Sequence, residues 1–398
     1  MSSSCDYLVI GAGVIGLSLG IQILESDPAA KVIVADKENK PGTHASARNS
    51  GVLHAGFYYS PESLKAKFCK EGNKELRKVI KKSNIPIREV GKVVVAQNEE
   101  EANRLVSLFE RGTINGVEIE LHDEGKLAKF EPLAKTHSKF LWSPTTAISD
   151  PSAVINALES DFLNMGGQVD LSQEIQLEIV GGEVRDKSGR YSAGHFINSA
   201  GAHADRIAKS VEVSNEYAMI PFIGTYFYAK RDKLPLQRLV YPVPHKINPF
   251  LGVHFTLTLD GSVKIGPSAI PVFGREQYNL SNGWNLSDVT QSLKGMAALA
   301  LGDSHSIITM IRSEIPSLYR SGIVAKAGAL TKANINASDW VRKPPGIRAQ
   351  LVHLATGKLE QDFKVISHLN STHILNAVSP GWTSAIPFAR YVLQNLSK

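Results

Sequence analysis

The chain has 398 residues, more than one ordinary hydrophobic core takes up, so two closely packed domains are expected. An apolar fraction of 43% and a charged fraction of 21% exclude a disordered chain, and no run nears the roughly 18 uninterrupted apolar residues of a membrane span. The formal net charge of +6 is not gathered into an arm, which argues against a nucleic-acid tail and leaves a mildly basic surface suited to an anionic partner.

The first five residues, Met1 to Cys5, carry no basic leader pattern, and the two cysteines, Cys5 and Cys69, have no metal-ligand spacing. Both features point to a cytoplasmic protein in a reducing compartment. Asp6 to Ile10 reads as a short apolar strand, followed by Gly11, Ala12, Gly13, Val14, Ile15 and Gly16. Leu17 to Glu25 reads as a helix, and Lys31 to Ala35 as a second strand ending on Asp36 and Lys37. This is the strand–turn–helix–strand context that a dinucleotide-binding GxGxxG motif needs. Gly11 makes the tight turn, Gly13 lets backbone approach a pyrophosphate, and Gly16 lets the helix pack on the sheet. The pyrophosphate would rest on the helix N-terminus at Val14 and Ile15, and Asp36 would accept hydrogen bonds from the adenosine ribose. The motif alone does not separate FAD from NAD.

A loop-like stretch follows from Gly42 to Gly56, then a basic helix from about Pro61 to Ser83. Gly91 to Ala96 reads as a strand, Glu99 to Arg111 as a polar helix, and Asp150-Pro151 opens another helix with Asp150 as N-cap. Phe196 to Gly201 is an apolar strand. Residues 216–270 change character: Met219 to Tyr228, Leu239 to Tyr241, Leu251 to Leu259 and Ser262 to Gly266 read as strands of an antiparallel sheet, with Asp260-Gly261 as a hairpin turn. Residues 284–321 look mostly helical, Thr372 to Ala377 is a strand, and Ile386 to Leu396 is a closing helix after the Ser379-Pro380-Gly381-Trp382-Thr383-Ser384 turn. The fold class is therefore α/β: a discontinuous Rossmann-like nucleotide-binding domain (1–85, 145–215 and 325–398) with an inserted α+β antiparallel-sheet substrate domain (86–144 and 216–324).

The run His44-Ala45-Ser46-Ala47-Arg48-Asn49-Ser50-Gly51-Val52-Leu53-His54-Ala55-Gly56-Phe57-Tyr58-Tyr59 resembles the second signature of the D-amino-acid-oxidase-type FAD oxidoreductases, and within them most resembles the L-2-hydroxyglutarate dehydrogenase family. Further matches are Ser60 to Cys69, Asn198-Ser199-Ala200-Gly201, Gly252-Val253-His254-Phe255-Thr256, Gly266-Pro267-Ser268-Ala269, Pro345 to Gln350 and Ser379-Pro380-Gly381. The chain departs from the family where Leu257-Thr258-Leu259 stands in place of a nearby basic residue, and in Val272 to Tyr278. The resemblance implies bound FAD, held by Gly11, Gly13, Val14, Ile15, Gly16, Asp36, Lys37, Ser46, Arg48, Asn49, Ser50 and Gly51. Later contacts would come from Val94, through a strand backbone pairing the adenine edge, and from Ser199, Ala200, Gly201 and Arg348. Pro380, Gly381, Trp382 and Thr383 complete the set, with backbone N–H groups facing charge at the flavin N1–C2=O edge.

The implied reaction is oxidation of a small anionic 2-hydroxy acid, foremost L-2-hydroxyglutarate to 2-oxoglutarate, by hydride transfer to flavin N5. It needs a proton acceptor, for which His54 and His254 are the candidates, and carboxylate ligands, for which Tyr58, Tyr59, Arg275 and Arg348 are the candidates. Adjacent tyrosines on a strand face opposite ways, so one of Tyr58 and Tyr59 would reach the substrate. Electrons would pass to a quinone, an electron carrier or oxygen, and the basic surface could rest peripherally on an inner membrane. Alternatives are an oxidase of an amino acid or amine that makes peroxide, and a non-catalytic nucleotide-binding scaffold. His44 offers a covalent tether in principle; non-covalent flavin is expected.

Overall fold

The structure is a computed structural model and describes residues 2–244, 252–279, 282–302, 309 and 312–396. The elements that build the site are, in the first half of the chain, β1 (Ser3–Ile10), α1 (Val14–Ser26), β2 (Val32–Ala35), α2 (Leu64–Lys82), β3 (Lys92–Val95), α3 (Glu99–Ile114), β4 (Glu120–Asp123), β5 (Lys139–Ser143), α4 (Pro151–Asn164), β6 (Gln168–Asp170) and β7 (Tyr191–Asn198). They continue with α5 (Ala204–Lys209), β8 (Tyr217–Ala229), β9 (Leu239–Pro242), β10 (His254–Leu257), β11 (Val263–Gly266), α6 (Leu286–Gly302), β12 (Val341–His353), β13 (Val365–His368), β14 (Ser371–Ile374) and α7 (Gly381–Gln394).

Two sheets carry the fold. The first has the order β13-β14-β7-β1-β2-β6 and is parallel except for the β13–β14 pair. Buried on both faces, β2 and the Leu8–Ile10 end of β1 read as unbroken apolar runs, as parallel strands do. One face is covered by α1, α4 and α7, whose Leu17, Ile23, Leu158, Phe162 and Phe388 form a single core. The second sheet runs β12-β8-β11-β10-β9-β3-β5-β4, extended beyond β12 by Lys358–Leu359. It is antiparallel but for one pair, β3 beside β9, so the expected antiparallel sheet is mixed, and it recruits the earlier strand at Lys92–Val95.

The structure differs from the predicted elements in three places that bear on the site. The closing helix starts at Gly381, not Ile386, and runs through Pro387. Proline favours a first helical position, which makes Ile386-Pro387 look like a start. The carbonyl that Pro387 leaves without a helical donor, that of Thr383, instead faces Gly72 of α2, where a Cβ would lie 2.1 Å away. The segment holding Arg348, which the assigned domain bounds place in the nucleotide-binding part, is strand β12 paired with β8, so part of 325–398 lies in the second sheet. Pro344 and Pro345 fit there because the register shifts opposite Gly224 and Tyr226 and no strand pairs on the other side at that point. Tyr58 and Tyr59 sit in a turn, so strand alternation does not apply to them. Of the predicted strand Leu251 to Leu259, Leu251 lies outside the described residues, and so do parts of 284–321.

At the first turn, Gly11 has φ +106°, a left-handed conformation, and a Cβ on it would lie 2.7 Å from the Ser199 carbonyl oxygen. A Cβ on Gly16 would lie 1.8 Å from the Gly11 carbonyl oxygen, so α1 can rest on the β1 turn only with glycine there. Gly16→Ala is therefore expected to destabilise the fold by about 3 kcal/mol, the upper part of the usual overpacking range. Chemical denaturation would show it as a lower midpoint; an unchanged midpoint would mean that α1 does not pack this closely.

Candidate active site

A cavity of about 1030 Å³ lies between the two sheets, at the upper end of the roughly 300–1,000 Å³ of ligand pockets. Its floor is the carboxyl end of β1 and β2, at Ile10 and Ala35, the edge at which open parallel sheets bind ligands. Its roof is the second sheet, through Phe222, Tyr226, Tyr241 and His254.

The floor is built for an anion. Helix α1 has no acidic residue in its first turn and no side-chain cap from Gly13, which leaves its N–H groups and dipole facing the cavity. The Val14 N–H donates to Ser46 Oγ at 3.0 Å, and a Cβ on Gly13 would meet that same oxygen at 2.8 Å. Asp36 Oδ2 accepts from the Ala12 N–H at 2.7 Å and Oδ1 from the Glu38 N–H at 2.9 Å, so the carboxylate locks the β1 turn while bordering the cavity. Ser199 ties the end of β7 to β1 by donating its hydroxyl to the Ile10 carbonyl at 3.0 Å. Ala200 and Gly201 border the cavity beside it.

The 43–51 loop continues the wall. Arg48 donates through Nε to the Thr43 carbonyl at 2.9 Å and lies over the Tyr278 ring at 4.1 Å. Asn49 donates to the Ser46 carbonyl at 2.6 Å and accepts from the Gly51 N–H at 2.8 Å. Arg48, Asn49 and Ser50 border the cavity; Gly51 does not, and serves the turn, where φ is +71°. Across the cavity the first turn of α7 presents Pro380, Gly381, Trp382 and Thr383, again with no acid and no side-chain cap. A Cβ on Gly381 would meet no atom within 4 Å, so glycine leaves room for a bound group. Two helix N-termini thus converge on one cavity, an arrangement that fits a cofactor with a pyrophosphate near its middle and an electron-accepting ring at one end.

Besides Gly51, and Tyr58 and Tyr59 below, two sequence-derived assignments fail here. Val94 is fully buried in the second sheet, paired with Leu141 on one side and Tyr241 on the other, and its backbone does not face the cavity. The cavity wall next to Asp36 is Gln173 to Leu177, anchored by the Gln173 N–H on the Asp36 carbonyl at 2.7 Å. That stretch has neither motif nor periodicity, so no sequence signal marked it. Arg275 borders the cavity but is 3% exposed, and its guanidinium is spent on Asp205, on Asp288 through Nε at 2.9 Å, and on the Ala202 carbonyl. It is a structural ion-pair centre, not a fork held open for a substrate carboxylate.

The remaining candidates gather at the roof. The His54 N–H donates to Thr383 Oγ1 at 3.2 Å, tying it to α7, and its Nδ1 is buried with no hydrogen-bond partner. Burial, then the charges of Lys92 and His254, hold its imidazole well below the usual range. His254 Nδ1 lies 2.8 Å from the Gly252 carbonyl, which can only accept, so the proton is assigned to Nδ1 and Nε2 keeps the lone pair. Its ring stacks on Tyr241 at 3.8 Å, and burial draws its pKa down to about 3, with Lys92 and Lys264 adding to the fall. Arg348 borders the cavity from β12, brought down to about 10 by burial. Tyr58 and Tyr59 lie behind this wall and do not border the cavity. Sequence reasoning also passed over Tyr226 and Tyr241, which border the cavity; Lys264 lies behind them and its Nζ donates to the Ser50 carbonyl at 2.6 Å.

At the adenosine end, Lys37 pairs with Glu38 and with Glu276, the latter at 2.6 Å. His44 bridges Tyr278, at 2.7 Å, and Glu38, at 3.0 Å, and His203 reaches Glu276 at 2.8 Å. Both His44 nitrogens are thus engaged. Glu38, His44 and Glu276 are the one metal-type ligand group among the described residues, and the Lys37 ammonium already neutralises its carboxylates.

A family model described as FAD dependent oxidoreductase matches residues 6–392. The chain is 33% identical over 401 residues to L-2-hydroxyglutarate dehydrogenase of Escherichia coli (strain K12), covering 98% of this chain and 93% of that one. It is 34% identical to the mitochondrial L-2-hydroxyglutarate dehydrogenase of Caenorhabditis elegans (97% and 92% covered) and 29% identical to the human one (100% and 89%). Among solved structures it matches the dithionite-reduced L-alpha-glycerophosphate oxidase of Mycoplasma pneumoniae with FAD bound, with TM-score 0.78, 21% identity, and 100% and 95% covered. Glycine oxidase of Geobacillus kaustophilus matches with TM-score 0.73, 16% identity and the same coverage. These two likenesses show the fold.

The ion-pair reading of Arg275 has a direct test. Arg275→Met removes the shared partner of buried Asp205 and Asp288, leaving them Lys209 and Arg206, and should cost about 3 kcal/mol of stability, the lower end for a broken buried pair. A fully stable variant whose only defect is weaker substrate binding would return Arg275 to the substrate.

Proposed function

The chain belongs to the FAD dependent oxidoreductases, and we propose that within them it oxidises L-2-hydroxyglutarate to 2-oxoglutarate. It is a FAD-dependent enzyme, and bound FAD supplies the two-electron acceptor for the hydride leaving the α-carbon. The observation that carries the proposal for the protein side is that His254 and Arg348 border the same cavity from the second sheet. His254, fixed by Gly252 as the Nδ1–H tautomer, offers Nε2 to the substrate hydroxyl and takes its proton. His54 stands beside it as the second imidazole. Arg348, cationic at any working pH, pairs with a substrate carboxylate. Gly11, Gly13, Val14, Ile15, Asp36, Lys37, Ser46, Arg48 to Ser50, Ser199 to Gly201 and Pro380 to Thr383 border the cavity and would hold the cofactor, with Gly16 seating α1 behind them.

Anaerobic bleaching of the flavin by a panel of 2-hydroxy acids and amino acids tests the substrate. L-2-Hydroxyglutarate should bleach fastest. Bleaching by an amino acid alone, with peroxide formed in air, would replace this reading by an amino-acid oxidase. His254→Ala should slow bleaching by about 10²–10⁴-fold, the usual contribution of a general base, with flavin still bound.

The electron acceptor is proposed to be reached at a membrane surface. Leu286, Leu293 and Leu301 are 76%, 49% and 89% exposed and recur on one side of α6, with Trp284 exposed just before it. The net charge of +6 suits an anionic bilayer. No helix among the described residues is long and apolar enough to cross a membrane. The protein should co-sediment with anionic lipid vesicles, and L286S/L293S/L301S should not; equal sedimentation of the two would remove α6 from the contact.

A further inference from the structure

Lys92 opens β3 in the middle of the second sheet, paired with Leu239 of β9 and Ser143 of β5. It is fully buried, and its ammonium has no hydrogen-bond partner. Three aromatic faces surround it: Phe57 at 4.6 Å, Tyr58 at 4.5 Å and Tyr241 at 4.8 Å. Lys264, the other lysine near the roof, differs in having the Ser50 carbonyl as acceptor. Cation–π contact returns part of the desolvation cost of a buried ammonium, but not all of it. A methionine would fill the same volume without that cost, so the fold alone gives no reason for a lysine here.

The groups facing Lys92 and its neighbours explain it better. From the segment after Leu53 comes His54, from the following turn Tyr58 and Tyr59, and from α2 Cys69. From β9 comes Tyr241, from β10 His254, and from β11 Lys264, which faces His254. No carboxylate is among them, and burial pushes the Cys69 thiol up to about 12, so no anion among the described residues balances Lys92. The Tyr241 ring forms one wall of the lysine cage and stacks on His254 with its rings 22° apart, linking the cage to the cavity wall.

We propose that Lys92 is a positioning residue for the proton-accepting histidines: caged by aromatic rings and lacking a counter-ion, its charge excludes a second positive charge from His54 and His254, so that both meet the substrate neutral. Burial brings the Lys92 pKa down to about 7. Below that pH the lysine is charged and repels protons from both imidazoles; above it, burial alone keeps them neutral. The proton-accepting form therefore survives acidification below the ordinary imidazole range. This rests on the histidine roles proposed above, but its test need not rest on the substrate.

The test uses holoenzyme in wild-type, Lys92→Met and Lys92→Arg forms. Histidine-selective NMR, with His54 and His254 assigned by their glutamine variants, follows titration from pH 3 to 8 without any substrate. Both signals should stay neutral above pH 5 in wild type and Lys92→Arg. In Lys92→Met the titration should move up by about one unit, the lower end of what one nearby charge exerts. The acid limb of anaerobic flavin reduction should move the same way. An unchanged titration in flavin-loaded Lys92→Met overturns the proposal. If that variant does not fold, wild type decides alone: either histidine titrating at about 6.5 or above overturns it. Absence of bleaching by L-2-hydroxyglutarate, with the NMR shifts as expected, would instead fault the substrate reading only.

Discussion

The contact between α1 and the turn that follows β1 sets the geometry of everything else. With Gly16 seated over the Gly11 carbonyl, the helix axis points its free N–H groups along the edge of the first sheet into the cavity. α7 packs against α1 and α2, so its own N-terminus is aimed at the same cavity from the other side. Thr383, in that first turn, accepts from the His54 N–H and donates to the Val52 carbonyl. A glycine contact at one end of the cavity is thereby connected, through two helices, to the placement of an imidazole at the other.

The charges of the molecule divide by their partners. Around Arg275, Asp205 and Asp288 the buried charges compensate one another, and the cluster clips the 273–288 segment to α5. Around the roof the buried cations Lys92 and Lys264 have no carboxylate beside them among the described residues, and burial lowers the pKa of each. A site with that imbalance favours an anionic occupant, because an incoming carboxylate supplies the missing charge in a low-dielectric space. The same burial holds both histidines neutral, which suits groups that must take a proton. A cation and a base can share a wall when neither is solvated and one of them repels the proton from the other.

Much of the fold and part of the site were legible in the amino-acid sequence. The βαβ unit could be read because its signals are local: an apolar run, glycines at fixed offsets, a helical period and an acid at the end of the second strand. The Arg48 to Ser50 segment and the Pro380 to Thr383 turn also border the cavity where motif reading put them. Those residues act largely through backbone and turn geometry, which short sequence patterns encode directly.

Tertiary structure decided what pairing and burial control. Val94 and the Gln173–Leu177 stretch exchange roles because a strand's backbone is available to a ligand only where no neighbouring strand takes it. Arg275 reads like any guanidinium until Asp205 and Asp288, distant in the chain or across a turn, close on it. Lys92 lies in an ordinary Lys-Val-Val-Val strand, and only the packing of Phe57, Tyr58 and Tyr241 around it shows a buried cation without a partner. The sequence by itself determined the dinucleotide fold and the residues whose chemistry follows from local backbone form. Which side chains were free to meet a ligand was decided by long-range contacts, since a polar group's availability depends on what else has already satisfied it.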